Sequence, residues 1–294
     1  MNPASAFYPA RSPFAMPPYA PPFLYPSGPM PPPPPPGVPV QSVWADNLDA
    51  ELGALRYFAA RARSVAVTVH YPGVVHRAEQ DHSLLTAEER YAVVKANVDA
   101  LKPLQVGLAV ATHDGRLAAW EFNLSGFDPA ADPCAAHSVA YLAGRGLDVD
   151  AHAQHGVPVA RLTAALRGCG LVHRRGLTWI AYTGAYHVAY LIKVITGGNQ
   201  LLPDDLAGFL AVVRRFLGED VYDAARLAND WPDIPVGLER IATRLGMPKP
   251  LLSPQLAGAG SVLALQAYMS LRLRYFGANN MNKHRGVIHG LQAI

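Results

Sequence analysis

The run Val65-Ala-Val-Thr-Val69 is rich in β-branched residues, shows no polar alternation, and is halted by Pro72-Gly73. A strand apolar on both sides of its pleat is stable only inside a sheet whose two faces are covered. That requirement excludes an all-helical bundle and gives this segment a central place. Flanking patterns supply the cover. Trp44, Leu48, Leu52, Leu55 and Phe58 recur every three or four residues and predict an amphipathic first helix. Thr86 and Glu89 form a capping box ahead of Tyr91, Val94 and Val98, a second helix. Residues 104–111 and 117–122 read as two strands joined by a turn at Asp114-Gly115. Helices are expected at 138–143 and 159–166, a strand at 177–182, and a helix at 185–195. Val262, Leu265, Met269, Leu273 and Phe276 mark one face of a long last helix. Strands that begin with a hairpin and then alternate with helices predict an α/β fold, a mixed five- or six-stranded sheet with helices on both faces.

The first 40 residues follow other rules. Sixteen are Pro, six of them consecutive from Pro31 to Pro36, and Arg11 is the only charged side chain. Such a segment lacks backbone donors for helix or sheet and apolar content for a core, so residues 1–40 are expected to be a disordered tail of polyproline II character. Prolines interrupt every apolar stretch, which argues against a signal peptide. Residues 41–294 are then a single α/β domain, with 50% hydrophobic residues in the whole chain. No segment is long and apolar enough to predict a membrane span; residues 188–196 are short and contain Lys193. A net charge of +3 gives no support for nucleic-acid binding through bulk charge. Cys134 and Cys169 are far apart and lack metal-ligand spacing, as expected of reduced structural thiols.

Several stretches resemble one nuclease family, the CAF/Pop-type deadenylases, the poly(A)-specific exoribonuclease subunit of the eukaryotic Ccr–Not complex. Its opening strand reads apolar-Asp-x-Glu-Phe-Pro-Gly-Val-Val, against Val65 to Val75 here. Val43-Trp44-Ala-Asp-Asn-Leu48 is similar to its entry helix. Lys95-Ala-Asn-Val-Asp-Ala-Leu-Lys102 and Leu104-Gln-Val-Gly-Leu108 resemble its Asn-Val-Asp-x-Leu and Gln-x-Gly-Leu signatures, and Trp120-Glu-Phe-Asn123 its Trp-x-Phe-Asn strand. Residues 179–193, Tyr222-Asp223, Gly237-Leu238 and residues 283–291 are similar to later landmarks in the same order. The resemblance runs over about residues 42–291 and implies the RNase H-like exonuclease fold of the DEDD superfamily.

The resemblance also implies a two-metal mechanism, in which four carboxylates hold Mg²⁺ or Mn²⁺ and a His helps deprotonate the attacking water. Here the corresponding positions are Thr68 and His70 in the first motif, His187 in Tyr182-Thr-Gly-Ala-Tyr-His-Val-Ala-Tyr-Leu191, and Gln255 and Gly260 in Gln255-Leu-Ala-Gly-Ala-Gly-Ser261. The neighbours Pro72, Gly73, Tyr186, Tyr190, Lys193, Ala257 and Gly258 match while all five catalytic positions differ. Hard dications need anionic oxygen ligands, so no catalytic residue and no metal cofactor is expected. Glu79, Asp81 and Asp223 are the acids available to compensate; Asp223 matches a residue the family carries outside its metal site. His70 and His187, with Thr68 and Gln255, offer a borderline-metal site for Zn²⁺, against the alternative that neutral imidazoles fill the space of the carboxylates.

Tyr190 and Lys193 are candidates for a residual contact with RNA, against packing and solvation respectively. Leu166 and Arg167 end a helix resembling the segment that docks on the large Not scaffold. The family has an apolar residue at the Arg167 position, so the guanidinium either disrupts docking or snorkels round the rim. The family implies Ccr–Not subunits and poly(A) RNA as partners, and the cytoplasm and nucleus as location. Three readings follow: an inactive deadenylase-like protein that acts by binding, an active poly(A)-specific 3′→5′ ribonuclease shortening mRNA tails, and a duplicate with no retained binding.

Overall fold

The computed structural model describes residues 37–247, 256–276 and 281–292; residues 1–36 and Gln255 lie outside them, and with them the expectation of a disordered tail. In chain order the domain contains β1 (Val40–Val43), α1 (Leu48–Arg61), β2 (Ala62–His70), α2 (Ala87–Ala100), β3 (Gln105–Thr112), β4 (Leu117–Asn123), α3 (Ala136–Gly144), α4 (Val149–His155) and α5 (Val159–Gly168). There follow β5 (Thr178–Ala181), α6 (Gly184–Ile195), α7 (Leu206–Leu217), β6 (Val221–Asp223), α8 (Ala224–Ala228), α9 (Leu238–Arg244) and α10 (Ala257–Arg274). The strands form one mixed sheet in the order β1-β4-β3-β2-β5-β6. β2, β3 and β4 pair antiparallel, whereas β1 on β4, β5 on β2 and β6 on β5 are parallel. The apolar run at 65–69 thus lies in an interior strand.

The two faces of the sheet differ in side-chain size. Val65, Val67, Val69, Leu108, Trp120 and Phe122 project into the larger core, shared with α1, α2, α5, α6 and α7. The other face presents Ala66, Ala109, Ala111 and Ala119 to α8, α9 and α10. Small residues on both partners let α10 settle close to the strands. At Gly107 a Cβ would overlap the carbonyl of Ala257, so this contact requires glycine. Close approach here places the first turn of α10 directly over β2 and β3.

The expectations for Trp44, Leu273 and Phe276 need correction. Trp44 is not in the first helix: residues 40–43 form a strand, and the Asn47 side chain accepts from Trp44 N–H and donates to the Ser42 carbonyl, closing a turn before Leu48. His152 is buried in α4, its Nδ1 3.1 Å from the Leu124 carbonyl oxygen. Leu273 faces solvent, and Phe276 lies past the end of α10; the buried stripe of that helix continues instead through Tyr268 and Leu271. The pattern also passes over α7, an amphipathic helix capped by Asp205, whose carboxylate accepts from Gly208 N–H.

Candidate active-site cleft

The site forms where β2 outruns β5. Only Ser64, Val65 and Ala66 pair with β5, so the backbone beyond them needs other partners. The Val69 N–H finds one in His187, donating to its Nδ1 at 3.1 Å. This bond fixes the neutral ring with its proton on Nε2. His187 stands in the first turn of α6, whose start is held by Asp223. One oxygen of that carboxylate accepts from Thr183 and Ala225 N–H, the other from Gly184 and His289 N–H. Burial pushes the Asp223 pKa up to about 6, but with two donors on each oxygen the carboxylate is ionised at neutral pH. The clamp holds Thr183 in a left-handed conformation (φ 51°), an unusual state for a β-branched residue, and so sets the turn that aims His187 at β2.

His70 and His187 line one open cleft of about 710 Å³, together with Tyr71, Arg77, His137 and Ser138. Burial lowers the pKa of both imidazoles to about 4; at His70 the proximity of His187 and Arg145 adds to the effect. Both rings are therefore neutral near pH 7. The Nδ1 of His70 is buried without a hydrogen-bond partner. Tyr71 is held between Tyr186 and Tyr190, with ring centroids 5.0 and 4.8 Å away. Behind the cleft, the Asn97 side chain accepts from Val75 and His76 N–H and donates to the His76 carbonyl, tying the segment after β2 to α2.

Thr68 and Gly260 lie deeper. Thr68 shares the face of His70 but is buried under α10, where a Cβ on Gly260 would stand 3.0 Å from its Cγ2 and 3.2 Å from its Oγ1. Thr68, His70, His187 and Gly260 therefore gather at the end of β2, two opening on the cleft and two packed beneath it. Nearby lies a carboxylate that sequence reasoning missed. Glu121 opposes Gly107, which opposes Thr68, and its Oε2 accepts from Gly258 N–H at 2.8 Å. Burial raises its pKa. Strand alternation was the available signal, since Glu121 must face away from its apolar neighbours Trp120 and Phe122.

This donor set does not fit a pair of hard dications. It offers a buried hydroxyl, two neutral imidazoles, one already engaged at Nδ1, a residue with no side chain, and the single nearby carboxylate of Glu121, engaged by Gly258 N–H. The acids considered as compensation are elsewhere: Glu79 is exposed, Asp81 is exposed and caps Ser83, and Asp223 is consumed by its four backbone donors. Among the described residues no three His, Cys, Asp or Glu side chains are placed to share a metal ion.

The binding candidates also change character. Tyr190 is fully buried in the tyrosine stack. Lys193 is buried too, and its ammonium donates to the carbonyls of Val98, Asp99 and Leu101 at the end of α2. Neither offers a free group to RNA. Leu166 belongs to the core, so it is not a docking contact. Arg167 is exposed, but its Nε donates to the Ile195 carbonyl at 2.7 Å, which draws the side chain along the end of α6.

Known proteins share this arrangement of chain and sheet. The CAF1 family ribonuclease profile matches residues 43–165. Probable CCR4-associated factor 1 homolog 7 of Arabidopsis thaliana is 28% identical over 263 residues, covering 86% of this chain and 94% of that protein. The Mg²⁺- and Mn²⁺-bound structure of S. pombe Pop2p superposes with a TM-score of 0.77 at 28% identity, covering 86% of this chain and all of that one. A structure of the yeast NOT1 MIF4G domain co-crystallized with CAF1 gives 0.70 at 25% identity, over 87% and 98% of the chains. With a mixed six-stranded sheet that follows the Pop2 fold and motifs in the same order along it, the chain is similar to CAF1 and Pop2 proteins over most of its length and matches the CAF1 family ribonuclease profile over residues 43–165.

Proposed function

We propose that this chain is a non-hydrolysing member of the family that acts by binding. The observation that carries this reading is the donor set at the end of β2, where Thr68, His70, His187 and Gly260 supply no carboxylate. Two-metal hydrolysis needs several anionic ligands at once, to hold the ions and to bring a bound water toward deprotonation at neutral pH. Neutral imidazoles do neither. The cleft, about 710 Å³ with a tyrosine at its wall and Arg77 in its lining, has room and one cation for an RNA strand without the means to cut it. Weak, salt-sensitive binding of poly(A) is the expected outcome.

The test is incubation of the purified chain with 5′-labelled oligo(A) in Mg²⁺ or Mn²⁺. No shortening is expected, with retardation of the probe at low salt. Metal-dependent trimming that copurifies with the chain and survives removal of contaminating nuclease overturns the reading and makes the chain an active poly(A) ribonuclease.

The same reading extends to a Ccr–Not partner. The relation to a CAF1 that co-crystallizes with a NOT1 MIF4G domain supports it, as does the course of Arg167 along α6 instead of straight outward. Capture of the chain by a purified NOT1 MIF4G domain is expected, and tighter capture of Arg167→Leu would show that the guanidinium weakens docking. Absence of capture for both forms removes this partner.

A further inference from the structure

We infer that a second, arginine-lined concavity binds the phosphate backbone of single-stranded RNA, at the opposite end of the sheet from the cleft. Arg174 and Arg175 precede β5, Arg214 and Arg215 occupy the last turn of α7, and Arg285 comes from the C-terminal segment; all five line one hollow of about 570 Å³. The loop that carries the first pair is bolted to α7. His173 adopts a left-handed backbone (φ 61°), its N–H donates to the Phe216 carbonyl at 2.7 Å, and its Nδ1 lies 2.9 Å from the Arg215 carbonyl oxygen. A non-glycine residue held in that conformation by two such contacts fixes the loop against the helix end, so the arginines share one rigid wall.

Two of the five have structural duties. Arg174 donates to the carbonyls of Ala59 and Ala60 at the end of α1, and Arg285 pairs with Asp220 at 2.8 Å and Glu219 at 3.3 Å. Arg175, Arg214 and Arg215 make no ion pair among the described residues. Five arginines against two carboxylates concentrate in this hollow a surplus as large as the net charge of the whole chain, +3. The near-neutral composition thus conceals a local positive field. Unpaired guanidinium groups present planar donor forks that match phosphate oxygens. Arginines in the last turn of a helix also complement its dipole, but that role calls for neither Arg175 nor a loop locked beside them.

β2 and β5 run parallel, with Ser64 opposite Thr178. The hollow is thus where β5 sets out and the cleft where β2 ends, roughly 20 Å apart along the strands. A strand filling one does not reach the other without crossing the sheet.

This inference rests on the RNA-binding reading above but not on the cleft. Binding of labelled oligo(A), long enough to cross the sheet, is measured by fluorescence anisotropy between about 50 and about 200 mM salt. Arg175→Gln/Arg214→Gln/Arg215→Gln should weaken binding by about tenfold or more at the lower salt. The slope of log K against log salt should fall by about two, the value for three lost contacts to a single strand. The matching Lys variant should keep most of the affinity, and an unchanged melting temperature shows that the fold survives. Arg77→Gln in the cleft, one contact at most, should lower the slope by only about 0.7. If the Gln variant binds with wild-type affinity and slope while Arg77→Gln does not, RNA binding stands but the hollow is not its site. No RNA binding by the wild type removes both readings. Binding of a polyglutamate peptide more tightly than oligo(A), lost in the same variant, would reassign the hollow to an acidic protein and overturn the proposal.

Discussion

Gly260 leaves just enough space for Thr68: a Cβ at position 260 would lie 3.0 Å from the threonine methyl and 3.2 Å from its hydroxyl. Each residue therefore sets the size limit of the other. Gly260→Ala should cost about 1–3 kcal/mol through overpacking, and Thr68→Ser, which removes the methyl, should recover a large part of it. A double-mutant cycle by urea denaturation should give a coupling of about 1 kcal/mol or more. Additive effects would show that α10 shifts to absorb the added carbon.

Both cleft imidazoles bear on acid stability. The folded-state pKa of His70 and of His187 is depressed from 6.5 to about 4. The unfolded chain binds these protons more readily, so their contribution is complete above pH 6.5 and is lost as pH falls from there toward 4. Each depression corresponds to roughly 3 kcal/mol at the acid limit, shared between two interacting rings. Urea midpoints should fall steeply across that window, and His187→Gln, which keeps an acceptor for Val69 N–H, should flatten the fall. An unchanged profile in the variant would mean that His187 titrates normally.

Much of this architecture was legible, and what was not has identifiable reasons. The capping box at Thr86 and Glu89 forms as read, because both partners lie within one helical turn. The β3–β4 hairpin forms around Asp114-Gly115 for the same reason of proximity. β1 escaped notice because it is four residues long and pairs, among the described residues, with β4 alone, about 80 residues away. At the site, the grouping of Thr68, His70, His187 and Gly260 was legible in the sequence. The split between an open histidine pair and a buried Thr68–Gly260 pair was not, since it depends on how closely α10 approaches Gly107. The sequence leaves Tyr190 between RNA contact and packing, and Lys193 between RNA contact and solvation. α6 is covered by α2, α5 and α7, and no local pattern reveals that.

Lys193 offers a direct check on this reassignment. Its ammonium meets the carbonyls of Val98, Asp99 and Leu101, backbone groups left over at the end of α2. Lys193→Met keeps the aliphatic stem and strands those carbonyls. A loss of about 2–4 kcal/mol is expected, together with unaltered RNA affinity for the folded fraction. Loss of RNA binding at full stability would restore the residue to the RNA-contacting surface.

Asp223 should prove equally structural. Asp223→Asn places an amide NH₂ against backbone donors that now face a carboxylate oxygen, leaving two N–H groups unsatisfied. Stability should fall by about 2–4 kcal/mol. The His187 ring should loosen as the turn at Thr183 relaxes, which the imidazole NMR signals would report. A variant as stable as wild type would show that the clamp is dispensable.

The strongest test rebuilds the chemistry. Thr68→Asp, His70→Glu, His187→Asp and Gly260→Asp restore four carboxylates, and Gln255→His a base, in a scaffold that otherwise follows Pop2. Gly260→Asp alone meets the Thr68 methyl and should destabilise; Thr68→Asp removes that methyl, so the two changes must be made together. His187→Asp deprives Val69 N–H of its acceptor unless the new carboxylate takes the bond, which a shorter side chain does only with some local movement. Mg²⁺ should not raise the melting temperature of the unmodified chain or of any single variant, because stabilisation by a ligand requires a site in the native state. The five-site variant should gain a Mg²⁺-dependent rise and traces of oligo(A) trimming. Ligands that act as a unit give nothing singly. A five-site variant that folds and binds Mg²⁺ without trimming would place the remaining defect in how the cleft holds RNA. A Mg²⁺-dependent rise in the unmodified chain would show that its own side chains already form a metal site, against the reading of the cleft given above.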